Sequence, residues 1–182
     1  MKKRFLLTLA LVILACPLFA RSQNVPVPQA SAKPPQGFRG EFFANLDEVQ
    51  EKIVDLAEAT PAEKFSWRPS KDVRSISEVY MHIAGGNYFL ATFIDVKAPK
   101  MNGDIEKTIT SKAEVVAELK RSFDHLRSAV NKVKDLEKPV NMFGKPTSQR
   151  AVLVTMLSHL HEHLGQSIAY ARMNGVVPPW SR

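Results

Sequence analysis

Two histidines four residues apart, His159 and His163, lie in the segment "SHLHEHLGQSIAYARMNGVVPPWS". On a helix that spacing stacks the two imidazoles one turn apart on the same side. Two ring nitrogens so placed suit two positions on one transition-metal ion. A third histidine, His82, lies in a separate apolar stretch, "SISEVYMHIAGGNYFL". Three imidazoles would leave coordination positions for water or substrate, which is the pattern of a catalytic site more than of a closed structural one. Histidines packed or hydrogen-bonded within a bundle are the competing reading of the same residues.

Helical phase sorts the candidates. At 3.6 residues per turn, His159 and His163 fall about 40° apart, whereas His161 points about 160° away from both. Gln166 projects within about 20° of His159 and is a candidate to order water or substrate. Glu162, about 60° from His159, is a weaker one. Asn87 and Arg68 are further weak polar candidates, Arg68 for an anionic group. His125 is a reserve ligand that lies between apolar stripe positions of its own helix. No residue stands out as a general base.

Four amphipathic helices would have to position these residues. The first is expected over 41–58, where Phe42, Leu46, Val49, Ile53 and Leu56 form one stripe. Thr60, Pro61 and Glu63 suggest a capped short turn, and Pro69 stops helical continuity. Ser75 and Glu78 form a capping box that starts the second helix, with Ile76, Val79, Ile83, Gly86, Leu90 and Phe93 along one face. Gly85 and Gly86 either allow close helix approach or leave room beside His82. Ser111 and Glu114 repeat the box before a stripe of Val116, Leu119, Phe123, Leu126, Val130 and Val133. The fourth helix, over 149–173, is apolar around more than half its circumference, which suits a buried position. Asn174 and Gly175 mark its exit, and Pro178 and Pro179 prevent continuation. "VKAPKMNGD" and "LEKPVNMFGKPTS" are expected to be plain connections, with no strand predicted. The fold class is all-α, a four-helix bundle.

The 182-residue chain opens with Lys2, Lys3 and Arg4 followed by a short apolar run from Phe5 to Ala15. This has the form of a secretory signal over 1–20 cut after Ala20, too short for a transmembrane helix of the mature chain. "ILAC", ending at Cys16, offers the alternative of a lipoprotein signal, with membrane anchoring only if Cys16 is lipidated. Either form implies an exported chain, periplasmic or extracellular. Residues 21–37 are proline-rich and form a flexible lead, and the domain is expected over 38–182. Loss of residues 1–20 takes the net charge from +7 to +4, because three basic residues leave with it. The remaining charge is dispersed, so no nucleic-acid partner is expected. Cys16 is the single cysteine, so a chain cut after Ala20 would hold no disulfide, thiolate ligand or cysteine nucleophile.

The segments "KFSWRPSKDVRSISEVYMHIAGGNYFL" and "LVTMLSHLHEHLGQSIAYARMNGVVPPWS" closely resemble the DinB-like domain family. The likeness extends over nearly all of 38–182. It implies a four-helix bundle with a long crossover connection and one divalent-metal site. Carried onto this chain, the ligands are His82, His159 and His163. Zinc or nickel are the first expectations for the ion, with iron or manganese next. The family includes transferases that use low-molecular-weight thiols and members without clear activity. The resemblance therefore implies a metal-binding protein acting on an unknown small molecule. It would be a hydrolase through metal-activated water, a small-thiol-dependent transferase, or a non-catalytic metal- or partner-binding bundle. Export would separate the chain from cytosolic thiols, which favours water as the nucleophile. The Trp67–Arg68–Pro69 and Pro178–Pro179–Trp180 segments are expected to cover one end of the bundle, and a homodimer is a candidate assembly.

Overall fold

The computed structural model describes residues 36–181; the expected signal segment, Cys16 and nearly all of the proline-rich lead lie outside them. Four long helices carry the architecture: α1 (Gly37–Ala59), α2 (Ile76–Ala91), α4 (Lys112–Lys132) and α5 (Gln149–Met173). A one-turn helix, α3 (Ile105–Thr108), precedes α4, and a two-stranded hairpin, β1 (Pro139–Met142) and β2 (Lys145–Ser148), precedes α5. Among the described residues the fold is all-α apart from that hairpin.

Each long helix packs against two others. α2 lies against α4 and α5, and α1 against α5 and α4. The helices consecutive along the chain, α1 with α2 and α4 with α5, therefore stand diagonally across the bundle. The segments 60–75 and 133–148 are the crossovers that this order demands. Both are longer than the tight loop that joins adjacent antiparallel helices.

The expected stripe of α1 is buried at Phe42, Leu46, Val49, Ile53 and Leu56. On α4 the phase differs by one position at the start: Val115 is in the core and Val116 is only partly covered. On α2 the box at Ser75 forms in full. The Ser75 hydroxyl accepts from the Glu78 amide, and the Glu78 carboxylate accepts from the Ser75 amide at 2.7 Å. Ser111 likewise accepts from the Glu114 amide at the start of α4. At the end of α5 Gly175 takes φ 74°, the left-handed exit its sequence position calls for.

Three local expectations are corrected. α1 begins at Gly37, four residues before position 41. Thr60 does not cap the following turn; its hydroxyl donates back to the Leu56 carbonyl at 2.7 Å and thereby closes α1. The segment "LEKPVNMFGKPTS" is not a plain connection, since Pro139–Met142 pairs antiparallel with Lys145–Ser148. The hairpin escapes periodicity analysis because each strand is four residues long and each contains a proline.

Candidate metal centre

α2 presents His82, and α5 presents His159 and His163 one turn apart. Ligand atoms of the three rings all lie within 4.8 Å of one another. His82 Nε2 and His159 Nε2 face each other at 3.3 Å. Two imidazole nitrogens at ordinary zinc distances and a tetrahedral angle would stand about 3.3 Å apart. The His82–His159 spacing is thus what two ligands of one small cation require, and the all-imidazole donor set suits zinc, nickel, copper or iron ions.

Each ring is oriented by a different device. Glu106 on α3 lies 2.8 Å from His82 Nδ1 and holds that nitrogen, which leaves Nε2 for the cluster. Arg74 grips the same carboxylate through Nε at 2.7 Å and a second nitrogen at 3.3 Å. Gln166 Oε1 lies 2.9 Å from His163 Nδ1, and Gln166 Nε2 donates to the Tyr170 hydroxyl at 3.2 Å. Tyr170 in turn packs edge-on against Trp67, centroids 5.4 Å apart. Such outer partners fix the ring orientation of ligating histidines and raise their basicity. His159 has no such hydrogen bond: its Nδ1 is buried without a partner. It is held by shape instead. A β-carbon on Gly86 would stand 2.3 Å from His159 Cε1, so the glycine makes the space the imidazole fills. Gly86 thus makes room for His159 rather than for His82. Gly85 faces Ile105 of α3.

Burial favours the neutral form of both α5 histidines. Burial, then the neighbouring His163, His82 and Arg74, depress the His159 pKa to about 4. Burial also lowers that of His163, which is 8% exposed, helped by His82 and Arg74 against the opposing Gln166 contact. Neutral imidazole is the form that ligates. Burial pushes the Glu106 carboxyl upward, but the hydrogen bonds from Arg74 and His82 outweigh it and hold the pKa below the usual value.

The weaker candidates separate. Gln166 touches the cluster through His163. Asn87 is buried between α2 and α4, where its amide donates to Ser122 at 3.1 Å. Arg68 pairs with Glu78 at 3.0 Å and donates to the Val73 carbonyl. The His125 ring packs against Tyr88, and His161 is exposed. Sequence reasoning missed Glu106 and Arg74. The signal that could have found Glu106 is the Asp104 cap, which accepts from the Glu106 amide at 3.0 Å and starts α3.

A cavity of about 730 Å³ opens beside the cluster, with His82, His159 and Glu162 in its wall alongside apolar side chains. A second cleft of about 620 Å³, lined by Arg68, Lys71 and Arg74, reaches Glu106 and Gln166. Among the described residues, no helix is long and apolar enough to cross a membrane.

The model of the DinB superfamily matches residues 45–167, a span that includes all three histidines. A DinB-like protein from Bacillus cereus ATCC 10987 has a similar solved structure, with TM-score 0.68 at 19% identity, covering 76% of this chain and 93% of that one. A DinB-like protein from Bacillus subtilis gives TM-score 0.62 at 18% identity, covering 75% and 93%. At these identities the likeness speaks for the fold. No curated protein matches the sequence significantly.

Proposed function

The chain belongs to the DinB superfamily, and from that membership together with its histidine cluster we propose that it is a divalent-metal-dependent hydrolase of a small molecule. The observation that carries this reading is the convergence of His82, His159 and His163 beside an open cavity large enough for a metabolite. A divalent ion held by the three imidazoles would supply Lewis acidity, polarising a substrate carbonyl and lowering the pKa of a bound water or thiol. Zinc or nickel suit the donor set best, with iron or manganese next.

The protein's own residues have separable tasks. Glu106 keeps the His82 Nδ1 proton and so commits Nε2 to the cluster; Gln166 does the same for His163. Glu162, exposed and in the cavity wall, is the carboxylate we assign to accept a proton from the attacking group at its oxygens. Glu106 is already engaged by Arg74 and His82. The leader supports an exported chain, in which water is more available than a small thiol.

A small-thiol-dependent transferase is the second reading. The second cleft favours it, because its lining sets Arg68, Lys71, Arg74 and Lys107 against Asp72, Glu78 and Glu106, and this small positive excess next to the cluster could take the anionic part of such a thiol. Parallel screens decide between the two: neutral esters and amides without thiol, and electrophilic acceptors with one. The hydrolase reading expects metal-dependent turnover without thiol, lost in His82→Ala and slowed in Glu162→Gln. Turnover only on adding a thiol would replace it with the transferase reading. Metal bound without turnover in either screen would leave a non-catalytic bundle.

A further inference from the structure

The turn that closes the β1–β2 hairpin breaks a local rule. Its two central residues, Phe143 and Gly144, both have positive φ, 54° and 79°. A two-residue turn of that kind favours asparagine or aspartate before the glycine, and a bulky side chain there is strained. Burial does not explain the choice, since Phe143 is 63% exposed. Strained, exposed aromatic residues of this sort point to a binding role.

Phe143 has company. Its ring lies 6.0 Å from that of Phe89, itself 50% exposed on α2, and 5.3 Å from that of Phe93. Phe89 and Phe143 both line the 730 Å³ cavity that also holds His82 and His159. Met81, Leu90, Met101 and Ile105 continue the apolar wall. The charged side chains of the lining are Asp104, Glu106 and Glu162, and no lysine or arginine lines the cavity among the described residues. The wall therefore offers apolar area without a partner for an anion.

We propose that Phe89 and Phe143 form an aromatic clamp that holds the apolar body of a small uncharged molecule, its polar end turned toward His82 and His159. The inference rests on the hydrolase reading for which end reacts; binding of the apolar body requires no metal. It explains why the hairpin carries phenylalanine where asparagine would be the relaxed choice.

The test uses the full chain, stripped of metal by a chelator and titrated with the uncharged dye Nile red and with a sulfonated anilinonaphthalene dye. Nile red should bind saturably with blue-shifted emission, and more tightly than the sulfonated dye. Phe143→Asn and Phe89→Ala should each weaken Nile red binding about tenfold or more, as loss of one buried aromatic contact implies. Phe143→Asn should meanwhile keep or raise the unfolding midpoint, because Asn-Gly is the favoured pair for this turn. Nile red affinity at the unmodified level in Phe89→Ala or in a folded Phe143→Asn would overturn the clamp, as would equal or tighter binding of the sulfonated dye. Phe89→Ala alone decides if Phe143→Asn folds poorly, since alanine suits an exposed helical position. Failure of the hydrolase reading would show separately, as absent metal-dependent turnover with Nile red still bound.

Discussion

Gly86 and His159 set the tolerance of the cluster at the residue scale. A methyl group on Gly86 would collide with the imidazole at 2.3 Å, and this ring has no hydrogen bond at Nδ1 to guide it back. Gly86→Ala is therefore expected to weaken metal binding on the order of 10–100-fold, the range for lost outer support of a ligand. Isothermal titration of metal into the apo chain would read it; unchanged affinity would show that His159 has other room. Glu106→Gln should weaken binding within the same order, since it removes the carboxylate that holds His82. His159→Ala and His163→Ala should lose most affinity and His161→Ala little, because His161 points to solvent. The phase of these three residues was legible in the sequence, since a regular helix fixes it. The partnership of His82 with Glu106 was not, because it joins residues on separate helices through a one-turn element too short to show periodicity.

At the element scale, the start of α2 links stability to pH. Burial works to raise the Glu78 pKa, but hydrogen bonds from Lys107, the Ser75 amide and Arg68 together bring it down from 4.5 to about 2. A carboxyl that is more acidic when folded adds stability above its unfolded pKa, and the addition is lost as pH falls through the folded value. Unfolding midpoints of the metal-free chain should drop between pH 4.5 and about 2, and Glu78→Gln should flatten that part of the curve. An identical slope in the variant would move the acid sensitivity to other groups. The four long helices were readable because apolar stripes and two Ser-x-x-Glu boxes mark them. The hairpin and α3 were not, because four-residue elements carry too few positions for a period to emerge. These two short elements supply Phe143 and Glu106, so the part of the site that sequence periodicity misses is the part added between the helices.

On the scale of the whole molecule, the two diagonal crossovers bring α2 and α5 side by side, and the cluster spans that contact. Metal binding should therefore brace the bundle. At a free metal concentration about 100 times Kd, linkage gives roughly 2.7 kcal/mol, or a rise on the order of 5–10 °C in the unfolding midpoint. Calorimetry with and without the ion would measure it, and no shift at saturating metal would mean that the ion does not favour the folded state. For the compartment, the intact mass of the native product should correspond to cleavage after Ala20; an acylated N-terminal Cys16 would establish the anchored form, and a retained Met1 in the cytosol would contradict export. The most direct test is the metal content of the gently purified chain, followed by titration of the apo form, set against a His82→Ala/His159→Ala/His163→Ala variant that remains helical. The expected result is about one divalent transition-metal ion per chain in the unmodified protein and none retained by the variant. Equal metal content in the two, or no binding of zinc, nickel, iron or manganese by the unmodified chain, would contradict the assignment of the three histidines as a metal centre.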